Sequence, residues 1–173
     1  MPTEQGETGR PTLADDVFVA PNAEVIGDVT MASRSSLWFS GVLRANGAPI
    51  VLGVGTDIQD NCLVDSEPGR PCRLGDYTSL GHGAAVHAST IDAHVLVAMN
   101  ATVMSGCTVG TGSIIAANAT VPPDTVVPPR SLVIGDQGRI ARQVTDDEYA
   151  RIELTSNHYM ELARQYREAL RKP

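Results

Sequence analysis

Aliphatic residues recur every six positions along most of this chain. They fall at Val19, Val25, Met31, Leu37 and Leu43, then at Leu52, Ile58 and Val64, and again at Leu74, Leu80 and Val86. After a five-residue step to Ile91 the series runs unbroken through Val97, Val103, Val109, Ile115, Val121, Val127 and Val133. The residue after each aliphatic is often small or acidic (Ala20, Gly53, Gly75, Gly81, Asp92). Four places on it is again small, as at Ser35, Gly41, Thr78, Ala84 and Ser113. A period of six is neither helical nor a simple strand alternation. It predicts a triangular prism, in which each short strand forms one flat side and each small residue lets the chain turn a corner. Three sides make one coil of about eighteen residues. The fold class is therefore all-β, a parallel β-helix over residues 11–140.

The series breaks twice, at "RANGAPIV" (44–51) and "DSEPGRPCR" (65–73). Both stretches contain Gly and Pro and read as loops leaving the prism, and loops on a rigid scaffold commonly carry function. The pattern changes after residue 144. Thr145 and Glu148 have the spacing of a capping box, with Asp146 and Asp147 in the first turn. Tyr149, Ile152, Ser156, Tyr159, Ala163, Tyr166 and Leu170 then follow helical spacing, predicting a helix over 145–171 with one apolar stripe. That stripe packs on the prism or against a neighbouring subunit.

Composition sharpens the picture. In 173 residues only 4% are aromatic, so the core is built from small, mostly β-branched side chains. The net charge of −7 without a basic cluster argues against nucleic acid or an anionic membrane as partner. Cys62, Cys72 and Cys107 have no metal-type spacing and are odd in number, and they read as reduced residues of a cytoplasmic protein. "MPTEQGETGRPT" is acidic and polar, unlike a signal peptide.

"SLGHGAAVHAS" (79–89) carries the candidate chemistry. His82 and His87 occupy different places in the six-residue frame, so they leave the prism in different directions. One chain cannot easily close both on one ion, whereas two neighbouring chains can.

The segments "SLWFSGVLRANGAPI", "VGTDIQDNCLVD", "LGHGAAVHAS", "VPPDTVVPPRSLVIGDQGRIAR" and "TSNHYMELARQY", in this order, closely resemble the γ-class carbonic anhydrases, over roughly residues 11–170. The resemblance implies a left-handed β-helix, an exception to the usual right-handed crossover. It also implies a homotrimer with a metal, usually zinc, at each subunit interface, and CO₂ and bicarbonate as substrates. His82 and His87 match the second and third ligands, and His82 would come from the neighbouring subunit. Where the family has its first histidine this chain has Asp65. Two histidines and a carboxylate suit zinc, and such sets also suit Fe(II) or another divalent metal. The carboxylate lowers the charge of the site, so bound water is less acidified and hydration slower. Arg44 and Asp60 match interface ion-pairing positions, and Gln59 matches a position near metal and bicarbonate. Glu67 is a candidate proton shuttle, and Asn157 and Tyr159 match the family's C-terminal helix. Two other readings compete: a non-catalytic trimeric scaffold or binding protein, and a hexapeptide acyltransferase using a histidine as base.

Overall fold

The computed structural model describes residues 9–170. The N-terminal residues 1–8, which include most of the polar segment read as unlike a signal peptide, and the expected last helix residue 171 lie outside the described residues. Twenty-one short strands and one helix follow in order. All strands but the last stack in parallel into three faces of a prism. One face runs from Thr12–Leu13 to Val126–Val127, a second from Phe18–Val19 to Ser131–Ile134, and a third from Glu24–Ile26 to Thr120–Val121.

The six-residue series is the core. On the second face Leu37, Ile58, Leu80, Val97, Ile115 and Val133 stand in register, one above another. All six are fully buried, as are Met31, Leu52, Leu74, Ile91, Val109 and Val127 on the first face. Val19 and Val25 point inward only half-buried, because among the described residues no coil lies beneath the first one. Burying such a column stabilises the prism by roughly 1.5–3 kcal/mol per large aliphatic side chain.

The corners have their own rule. The third residue after the inward aliphatic takes a positive φ at Arg34, Ser40, Asn61, Tyr77, His94, Asn100, Asn118, Asp124 and Arg130. Gly55, Gly83, Gly106 and Gly112 serve the same position. A bulky side chain is disfavoured in that left-handed region, so Tyr77 and His94 are held there by their surroundings. Elsewhere glycine allows coils to approach: a Cβ at Gly75 would lie 2.5 Å from the backbone nitrogen of Ala93.

The two interruptions are narrower than the sequence suggests. Val42–Arg44, Ile50–Leu52, Leu63–Asp65 and Cys72–Leu74 remain strands, so only residues 45–49 and 66–71 leave the prism. The second of these folds into a tight turn in which Glu67 and Arg70 exchange backbone hydrogen bonds of 3.1 and 2.8 Å. The prism ends on an antiparallel pairing of Ser131–Ile134 with Arg139–Gln143, which the periodicity did not reveal.

The helix spans Asp146–Leu170. Its capping box forms: Glu148 N donates to Thr145 Oγ1 at 3.2 Å, and Thr145 N donates to Glu148 Oε2 at 2.9 Å. Arg142 grips the Glu148 carboxylate with bonds of 2.7 and 2.8 Å, which, with the Thr145 amide, holds its pKa down at about 2. The helix packs on its own prism, across the second face, burying Ile152, Ser156 and Ala163. Trp38 meets Phe18, Tyr159 and Tyr166 at ring-centroid distances of 4.8, 5.4 and 5.2 Å. Arg167 ties the far end down by donating to the carbonyls of Asp15 and Asp16.

Candidate metal centre

On the third face Val64 and Val86 point inward, so their neighbours Asp65 and His87 point outward. Arg44, Asp65 and His87 are register partners on three adjacent strands. Arg44 Nη2 donates to Asp65 Oδ2 at 2.8 Å. His87 Nδ1 lies 2.5 Å from Asp65 Oδ1. Oδ1 is buried and has no neighbouring donor besides this imidazole. Asp65 as a whole is 8% exposed, while the Arg44 and His87 side chains are open to solvent on the outer side.

His82 sits elsewhere, on the turn between the second and third faces. Its Nδ1 is 2.9 Å from Asp60 Oδ2, and its Nε2 is 3.4 Å from the Tyr159 hydroxyl. Each histidine therefore turns Nδ1 towards a carboxylate. Such carboxylate–imidazole pairs fix ring orientation and tautomer where histidine binds a metal. The two clusters stay apart within one chain: among the described residues no group of three His, Cys, Asp or Glu could hold a metal ion.

The remaining expected residues divide. Gln59 is buried and donates from Nε2 to Asp57 Oδ1 at 2.9 Å. Tyr159 reaches the His82 cluster, and its pKa is pushed up to about 12 by burial and by the nearby Asp57 and Asp60 carboxylates. Asn157 is exposed on another side of the helix, lining a cavity of about 330 Å³ with Arg34, Tyr77, His94 and Glu153. Glu67 is held by the Ser105 hydroxyl at 2.6 Å. Arg44 and Asp60, expected at ionic interface contacts, pair within the chain with Asp65 and His82 respectively. Cys62 and Cys72 are not candidate nucleophiles, because burial pushes both thiols up to about 12.

Sequence reasoning missed Asp57. It is 1% exposed, and burial pushes its carboxyl up to about 7. The one available signal was its place directly before inward Ile58, in a row with Ser36 and Ser79.

A prism of hexapeptide coils with histidines at its corners and edges defines a hexapeptide-repeat protein. Residues 88–123 accordingly match the family model described as bacterial transferase hexapeptide (six repeats). A Methanocaldococcus jannaschii protein named a probable carbonic anhydrase is 45% identical over 87% of this chain and 95% of its own length. Gamma carbonic anhydrase 2 of Arabidopsis thaliana mitochondria is 36% identical over 88% of this chain, which spans 57% of that longer protein. A Bacillus cereus crystal structure, provisionally described as an acetyltransferase, superposes with TM-score 0.91 at 27% identity, covering 93% of this chain and 94% of that one. The chain belongs to the γ-class carbonic anhydrase family.

Proposed function

We propose that this protein interconverts CO₂ and bicarbonate at a metal held between subunits of a homotrimer. Asp65 and His87 of one protomer would meet His82 of the next. The observation that carries this reading is the half-site itself. Asp65 Oδ1 is a buried carboxylate oxygen whose close neighbour is the open imidazole of His87, and a carboxylate and an imidazole so placed suit a divalent cation supplied from outside the chain. Zinc, iron(II) or another divalent metal bound there would supply the acidified water that CO₂ hydration requires.

The chain's own groups have separable tasks. Asp60 holds the His82 ring by Nδ1, leaving Nε2 directed away from the carboxylate. Asp65 sits against His87 Nδ1, and Arg44 fixes the carboxylate from its other oxygen. Because Asp65 brings a negative charge where the family has a neutral imidazole, it weakens the acidification of bound water. Arg44 offsets part of that charge. Gln59 and Tyr159 border the His82 side, and Glu67 would carry protons only after leaving Ser105.

A trimeric scaffold without metal is the competing reading, favoured by the Arg44–Asp65 ion pair, which already gives the carboxylate a partner. Metal analysis of the purified oligomer followed by a CO₂ hydration assay decides between them. About one divalent ion per chain, with hydration lost on chelation and restored on reloading, is the expected result. An oligomer that neither retains nor takes up metal would overturn the enzyme reading.

A further inference from the structure

Each corner of the prism needs a residue in the left-handed region. Two of the three corners fill that place with glycine or with short side chains, Ala, Ser, Asn and Asp. The corner between the first and second faces differs. It carries Arg34, Tyr77, His94 and Arg130 at φ of 60°, 54°, 55° and 58°, with Gly55 and Gly112 between them. Large side chains held in that region are a standing cost to the fold, of the kind found at ligand clamps. Gly55 leaves room for the Tyr77 ring, since a Cβ there would meet Tyr77 Cδ1 at 3.0 Å. Across that gap Arg34 Nη2 donates to the Tyr77 hydroxyl at 3.3 Å. Tyr77 in turn stacks on His94, with 5.1 Å between ring centroids. The helix supplies the opposite wall: Glu153 and Asn157, four residues apart on one of its faces, line the cavity of about 330 Å³ with these three, a volume that suits a small ligand.

Two charges of opposite sign stand uncommitted in this cavity. Arg34 pairs with no carboxylate among the described residues, because the nearby Asp16 is engaged by the Arg34 backbone amide and the Ser33 hydroxyl. Glu153 Oε1 lies 3.9 Å from His94 Nδ1, beyond hydrogen-bonding distance, and that Nδ1 is buried without a partner. The charged groups farther along the helix are engaged: Arg164 by Glu161 and Glu168, and Arg167 by the carbonyls of Asp15 and Asp16. We propose that the cavity binds a small zwitterion, an ω-amino acid whose carboxylate rests on Arg34 and whose ammonium is shared by Glu153 and His94 Nδ1. The guanidinium fork matches a carboxylate. An ammonium has three donors and no acceptor, so it serves two neighbouring acceptors that lack a donor, the imidazole carrying its proton on Nε2. Arg34 stands at Tyr77 and Glu153 at His94, so a stacked ring pair separates the two charges. That spacing selects an ω-amino acid over an α-amino acid.

The test is calorimetric titration of the whole assembled protein with 4-aminobutyrate and 6-aminohexanoate, set against glycine, butyrate and butylamine. The His94 ring ¹⁵N signals are followed by NMR in the same titrations. At least one of the two longer zwitterions should bind about tenfold or more tightly than the three controls, the effect of a charge-assisted hydrogen bond at each end. Its binding should move the His94 signals, because Nδ1 gains a donor. Arg34→Gln should lower its affinity to the level of butylamine, and Glu153→Gln to that of butyrate. His94→Asn suits the left-handed corner, so the fold should stand while affinity falls about tenfold. Neither zwitterion binding by either measure at millimolar concentration would overturn the proposal. So would equal affinity for butyrate or butylamine, and so would affinity that survives both Arg34→Gln and Glu153→Gln. None of these measurements involves CO₂ or metal, so the outcome stands apart from that of the metal centre.

Discussion

Replacing Asp57 by asparagine should make the protein more stable above neutral pH, an unusual outcome for a fully buried polar position. The carboxyl is 1% exposed, and burial raises it from 3.8 to about 7, against the opposing pull of Ser79 and Gln59. The rise is about three pH units, and at 1.36 kcal/mol per unit the ionised group costs the folded state about 4 kcal/mol. The sign follows from which state holds the proton. Below 3.8 both folded and unfolded chains are protonated and the group contributes no pH dependence. Between 3.8 and about 7 the unfolded chain releases its proton first, so stability falls as pH rises. Above about 7 the loss is complete. Asparagine has the same shape and no proton to release, so its profile lacks this slope. Urea midpoints at fixed protein concentration, measured in parallel for both proteins across this range, would show the curves diverging by about 2–4 kcal/mol with rising pH. A wild-type advantage at pH 8, or a difference that does not change with pH, would refute the argument that burial without a cation dominates here.

Asp65→His should raise metal affinity and CO₂ hydration together, since imidazole removes the negative charge. Asp65→Ala, His82→Ala and His87→Ala should each lose metal by 10-fold or more, and equal metal content in wild type and Asp65→Ala would remove Asp65 from the ligand set. Arg44→Ala should weaken assembly on dilution more than it weakens the coil, because the open guanidinium borders the proposed interface; unchanged dissociation in light scattering would contradict this. Gly75→Ala should cost about 3 kcal/mol or more, since its Cβ meets backbone that cannot yield at 2.5 Å. A thermal midpoint within a degree of wild type would show that the coils can part at that corner.

The six-residue series by itself determined the prism and its inward columns, because each inward residue is chosen by burial alone and burial repeats with the coil; the helix was legible from its own three- and four-residue spacing. The capping box was equally legible, being a contact between residues three apart. The corner residues in the left-handed region were not, since Tyr77 and His94 give no local sign of a conformation that neighbouring coils impose. The pairing of Arg44 with Asp65 and His87 was hidden for a different reason. The two insertions stretch these coils, so the partners stand 21 residues or more apart, and register appears only after the loops are folded out. Asp57 is the sharpest case. Its neighbours in sequence are those of a solvent-facing strand residue, and it becomes a buried, near-neutral acid only because a helix from the far end of the chain lies across it.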